Sequence, residues 1–236
     1  MTTPADASAP CAAPPACAPV TGLRGRKRER TRRAISDAAF RLFAEEGFDA
    51  VTLTRIAAEA DVAPATVFTH FASKEDIFFG RREEFDAQLW EAVRSGPAGA
   101  ELLHALRVSF TDACELILGD EEAVAQGRVF SRVLLGSSTL GRSYMHFMQR
   151  RQERLLDLLV ERAGPRLRAV PGLRAELEIF AALAVAVRQL VFDVLHAKLA
   201  EGEPPARIRA AVSDTLDRAA ARLARAYEDS DVLDAG

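Results

Sequence analysis

The chain has 236 residues, 49% of them apolar and 28% charged. This is the balance of a globular protein long enough to bury a substantial core. No uninterrupted apolar run approaches the roughly 18 residues of a membrane span, the nearest being Ile179 to Val187, and the N-terminus lacks the basic start and apolar stretch of a secretory signal. No membrane partner and a cytoplasmic location are the expectations. The net charge of −3 argues against nucleic acid for the chain as a whole, but the charge is unevenly spread. Residues 24–82 hold 12 Lys/Arg against 9 Asp/Glu, and the rest holds 19 against 25. The positive charge sits at one end.

Residues 1–23 are rich in Pro and Ala with no basic residue, a composition expected to be disordered. Cys11 and Cys17 lie there and Cys114 lies in a helical pattern; neither a disulfide framework nor a metal site is expected from that spacing. From residue 24 onward almost everything has helical period, with no alternating strand pattern of useful length. The expected class is all-α: a head over 24–80 followed by a larger helical body over 81–236.

The first helix is predicted over Arg28 to Glu46, with Ile35, Ala38, Ala39, Leu42 and Phe43 on one face and Gly47 as its stop. Arg26, Lys27 and Arg28 belong to the basic run RGRKRERTRR just before it. That run is expected to lie along a nucleic-acid backbone or reach into a minor groove. Thr52 is placed to cap a second short helix, Leu53 to Ala60, whose Ile56 and Ala57 face inward. Asp61-Val62 reads as a tight turn, and Pro64 suits the first position of a third helix ending at Phe71. Ser73 caps a fourth that runs to about Arg94.

Two short helices joined by a tight turn are a helix-turn-helix. The third helix is too short to stand alone. Its large apolar residues, Val67, Phe68 and Phe71, leave Thr66, Thr69 and His70 on the rest of its surface. Val67 and Phe71 anchor it from behind, and the other face, with the small Ala65, Thr66 and Thr69, is free to enter a major groove. The start of the neighbouring helix, with Lys74 and its free N–H groups, is a ready phosphate clamp.

Residues 28–79, RERTRRAISDAAFRLFAEEGFDAVTLTRIAAEADVAPATVFTHFASKEDIFF, resemble the N-terminal domain of the tetracycline-repressor (TetR) family of bacterial transcriptional regulators. The resemblance covers about a fifth of the chain. It implies a double-stranded DNA partner with a palindromic operator, a homodimer, a body that binds a small-molecule effector, and repression relieved by that ligand. Within the motif it implies phosphate contacts at Thr52, with Arg55 nearby, and at His70 and Lys74, base or backbone contacts at Pro64, Ala65, Thr66 and Thr69, and a structural Phe71. Three positions depart from the family pattern: Asp61 stands for a turn glycine, Ala63 for a capping serine, and Phe68 for a common tyrosine.

Beyond the head, helices are predicted over Ala100–Leu118, Glu121–Leu135, Leu140–Ala163, Leu173–Glu201 and Pro205–Asp229. The last two are expected to form the dimer interface through Val187, Val191, Leu195, Ile208, Val212, Leu216 and Leu223, as half of a four-helix bundle. An effector pocket is expected among Trp90, His104, Phe110, Cys114, Phe130, Tyr144, Phe147, Arg188 and Gln189, for a mostly apolar, planar ligand. Arg188 requires an anion or a carboxylate partner if buried, and Asp193 stands one turn beyond Gln189. No cofactor is expected, and no catalytic motif supports an enzyme. A body that answers to a protein partner instead of a small molecule is the competing reading.

Overall fold

The computed structural model describes residues 22–96, 98–227 and 230–236, without the side chains at 81–85, 87, 88, 92, 95 and 100. The expected disordered tail, with Cys11 and Cys17, lies outside the described residues apart from Gly22 and Leu23. Among those described, all regular structure is helical: α1 (Leu23–Glu46), α2 (Leu53–Glu59), α3 (Pro64–His70), α4 (Lys74–Ser95), α5 (Gly99–Leu118), α6 (Glu121–Gly136), α7 (Ser138–Ala163), α8 (Arg166–Ala169), α9 (Leu173–Ala200) and α10 (Pro205–Tyr227).

Helix α1 starts at Leu23, five residues before the expected Arg28. The basic run is therefore wound into the first turns of α1 and does not precede the helix; of its two expected placements, the one along a backbone fits a helix and the extended reach into a minor groove does not. Arg and Lys are good helix formers, and the first turn closes with Arg26 N–H donating to Gly22 O. The helix stops at Gly47, whose φ of 83° lies where a side chain is costly.

The apolar face of α1 supports the head. Ile35, Ala39, Leu42 and Phe43 pack with Phe48 and Val51 of the following loop, Ile56 and Ala57 of α2, Val67 and Phe71 at α3, and Ile77, Phe78 and Phe79 of α4. This core does not end at residue 80. It continues into Leu134 of α6 and Leu140, Tyr144, Phe147 and Met148 of α7. Phe40 stacks on Phe78 at 5.4 Å and Phe78 on Phe130 of α6 at 4.4 Å. The Asp49 carboxyl, accepting from Thr139 and Ser137 at the start of α7, is held below its ordinary value. Head and body thus share a seam of stacked rings.

A second core fills the body between α5, α9 and α10, with α6 and α7 alongside. By length and composition α9 is apolar enough to cross a membrane, which the count of uninterrupted apolar residues did not anticipate. Here it is a core helix: Leu177, Phe180, Ala184, Val191, Leu195 and Leu199 are buried among its neighbours. Two features escaped the periodicity argument. One is the single-turn α8. The other is the C-terminal segment, whose Val232 and Leu233 join the body core while Leu233 O accepts from Gly99 N–H.

Candidate nucleic-acid interface

Two seven-residue helices, α2 and α3, stand on α1. Thr52 Oγ1 accepts from Arg55 N–H at 3.2 Å and caps α2. The chain then turns through Asp61 at φ 52°, the one described non-glycine residue in the left-handed region, which Asp tolerates better than most. Val62 N–H closes the turn on Ala57 O. Ala63 is extended and supplies no side-chain cap, so α3 starts on the preset φ of Pro64.

Val67 and Phe71 are buried and fix α3 to the head core. Pro64, Ala65 and Thr69 are exposed, and Thr66 and His70 half-buried. Thr69 Oγ1 donates to Ala65 O at 2.9 Å, so its proton is used within the helix and its acceptor lone pairs and methyl remain for a partner. Phe68, which is not one of the two expected anchors, is 60% exposed. It stands on the outward face as a large apolar surface at the position where the resembling family commonly has tyrosine, and it was not among the expected contact residues.

The start of α1 lies beside the end of α3. Burial first, and then the charges of Arg28 and Arg32, hold the His70 imidazole below its ordinary value. Arg32 donates to His70 O at 3.1 Å and lies 4.3 Å over the Phe71 ring, so it caps α3 from α1. Arg26, Lys27 and Arg28 are exposed on the first turns of α1. Arg55 pairs with Glu46 and Glu59, and Arg41 shares Glu59. Exposed pairs of this kind contribute little, so Arg55 exchanges a carboxylate for a phosphate at small cost. Lys74 departs from expectation. Its Nζ donates to Phe48 O at 2.8 Å and Val51 O at 3.1 Å and lies 4.4 Å from the Phe48 ring. It staples the α1–α2 loop to the start of α4, with its ammonium turned inward rather than toward a phosphate.

The residues expected to line an effector pocket do not converge. His104 is exposed, Phe110 and Cys114 lie in the body core, Trp90 packs against that core, and Tyr144 and Phe147 belong to the core that continues from the head. Gln189 donates to Asp193 at 2.7 Å. Arg188 is buried against Asp86 of α4, which Arg151 of α7 also grips. Phe130 alone of the nine lines a cavity of about 590 Å³ at the seam, between Phe40 and Ala44 of α1, Ile117 of α5, Ala123 of α6 and His196 of α9. At its back His196 Nδ1 is 2.9 Å from Ser131 Oγ, which donates to Gly127 O.

The expected dimer residues are corrected as well. Val191, Leu195, Ile208, Val212 and Leu216 are buried in the subunit's own core, and Val187 and Leu223 pack half-buried against it. The exposed apolar stripe of α9 is instead Ile179, Leu183 and Leu190, each at least 43% exposed.

A basic helix start beside a braced short helix with an outward apolar and hydroxyl face is the arrangement of a helix-turn-helix regulator. Residues 35–80 match the family of bacterial regulatory proteins called the tetR family. The transcriptional regulator MftR of Mycobacterium tuberculosis is 31% identical over 140 residues, 59% of this chain and 69% of that protein. The HTH-type transcriptional regulator TcmR of Streptomyces glaucescens is 30% identical over 146 residues, 61% of this chain; the match spans 65% of TcmR, just under two thirds of its length. The structure of a SmeT–triclosan complex shares the fold, with a TM-score of 0.54 at 22% identity over 88% of this chain and 96% of that one. The chain belongs to the tetR family, whose members are transcriptional regulators and not enzymes.

Proposed function

We infer that this protein is a homodimeric regulator that binds a palindromic operator as a repressor in the cytoplasm and is released by a small, mostly apolar ligand. The observation that carries the reading is the outward face of α3, Ala65, Phe68 and Thr69, set beside the basic first turns of α1. Base contacts then come from Thr66, Phe68 and Thr69 and their neighbours Pro64 and Ala65. Phosphate contacts come from Arg26, Lys27, Arg28, Thr52, Arg55 and His70.

One short helix reads only a few base pairs, so specificity calls for two of them about 34 Å apart on a two-fold axis. The exposed stripe Ile179, Leu183 and Leu190 supports α9 as the surface that pairs. A volume of about 590 Å³ bounded by α1 on one side and body helices on the other is in the range of small-molecule sites. It supports a ligand that acts directly on the angle between head and body. Such a ligand shifts the population toward the released state only by its preference for that state.

The test is a mobility-shift titration on the DNA upstream of the protein's own gene. Expected are saturable binding, a steep loss with salt, and weaker binding by Thr66→Ala and Phe68→Ala. Equal affinity for unrelated DNA at every salt concentration would refute the reading.

A further inference from the structure

Three helices meet at a buried charge cluster that DNA binding does not use. Asp86 comes from α4, Arg151 from α7 and Arg188 from α9, and each side chain is no more than 5% exposed. Arg151 Nε donates to Asp86 Oδ2 at 2.7 Å, its Nη2 bonds the same oxygen, and Arg188 Nη2 donates to Asp86 Oδ1 at 2.8 Å. Among the described residues Asp86 is the one carboxylate that either guanidinium bonds. Among the described residues, two positive charges share one negative charge, away from water.

An arginine stays charged at any ordinary pH, and a buried charge without its counter-charge is expensive. The deficit falls on one residue. Arg188 Nε and Nη1 are buried and find no hydrogen-bond acceptor among the described residues. Around them are aromatic faces: the Arg188 guanidinium lies 4.6 Å from the Phe192 ring and 5.9 Å from that of Phe110, and Arg151 lies 4.4 Å from Phe147. These faces soften the deficit but do not accept the N–H groups.

We propose that Arg188 and Arg151 form a receiving site for an organic monoanion, a carboxylate on an aromatic or aliphatic body. One negative charge brings the cluster to neutrality, whereas a phosphate dianion overshoots. The aromatic surround fits an apolar body behind the carboxylate. The entering carboxylate takes the donors of Arg188 and competes there with Asp86. Because Asp86 belongs to the helix that joins head to body, its hold on α9 weakens as the anion binds. This coupling rests on the ligand-responsive reading above; the site itself does not.

The test uses the full-length protein with three probes: 1-naphthoate, its uncharged counterpart 1-naphthamide, and inorganic phosphate. Calorimetric titration should show naphthoate binding at least about tenfold more tightly than naphthamide, with phosphate not competing. Asp86→Asn removes the competing carboxylate, so it should bind naphthoate about tenfold more tightly than the parent does, with naphthamide unchanged. Its lowered Tm should be restored by naphthoate and not by naphthamide. Arg188→Gln should erase the preference for the acid, and if that variant does not fold the Asp86→Asn comparison decides. Equal affinity for acid and amide, or no gain in Asp86→Asn, would overturn the site. Naphthoate binding that leaves operator affinity unchanged would keep the site and overturn its coupling to DNA release, leaving the ligand reading to the seam cavity.

Discussion

At the scale of single residues, His70 gives a readable signal. Burial and the charges of Arg28 and Arg32 favour its neutral form. Its folded value lies below the ordinary 6.5, so the stability it contributes is present above that value and is lost as pH falls through the folded value. A phosphate beside the ring reverses the preference and raises it. Operator affinity should therefore increase as pH falls from about 7.5 toward about 6, and His70→Gln should flatten the profile; an unchanged slope in the variant removes the phosphate contact. Lys74 separates from the DNA-facing cations by a different measurement. Lys74→Ala gives up charge-assisted bonds to loop carbonyls and should cost about 1.5–3 kcal/mol of stability while the dependence of log K on log salt keeps its slope. Arg28→Ala should leave stability nearly unchanged and reduce that slope by about 0.9. The structure leaves His70 half-buried at the end of α3, off the face that Val67 and Phe71 anchor. The sequence could not place Lys74, whose acceptors lie 23 or more residues earlier, or Phe68, which adjoins Val67 on so short a helix that only the docking angle decides which ring is covered.

At the scale of elements, period 3.6 and the stop residues were enough to locate every helix longer than one turn. What they left open was which face of α9 meets what. A helix apolar nearly all round offers no contrast, so Val191 and Leu195 looked as suitable for a partner as Leu183 and Leu190. Burial distinguishes them, and it assigns different outcomes to their removal. Leu183→Arg together with Leu190→Arg should leave the subunit folded, yield a monomer by sedimentation equilibrium, and lose operator affinity. Leu195→Ala should instead cost about 2–5 kcal/mol of stability and leave the folded protein dimeric. A double-arginine variant that still sediments as a dimer would move the pairing surface away from this stripe. The early start of α1 belongs here too. Sequence marked the basic run as lying before the first helix, along a backbone or in a minor groove, but a run of Arg and Lys carries no stop signal, so the helix extends through it and holds its charges in fixed register beside α3.

At the scale of the whole molecule, the division at residue 80 that composition implies is not where packing divides. The Phe40–Phe78–Phe130 stack carries the head core into α6, and the seam cavity opens against the same Phe40 and Phe130. On the proposed function, a volume with one wall on the head and the others on the body would act as a lever: a ligand filling it would bear on α1, which carries both the basic turns and the floor under α3. Ala123→Phe puts a ring into that space from α6 without touching any residue that faces DNA. If the space is open, the ring is accommodated and stability changes by less than about 1 kcal/mol, whereas overpacking of a filled core costs about 1–3 kcal/mol. With the ring accommodated, operator affinity should fall about tenfold, a shift of about 1.4 kcal/mol. The salt slope should stay the same, because the phosphate contacts are unchanged and only the population of the binding-competent state is reduced. A variant of unchanged stability and unchanged operator affinity would show that filling the seam does not move the head, and the ligand's leverage would then have to come through α4 and its hold on Asp86.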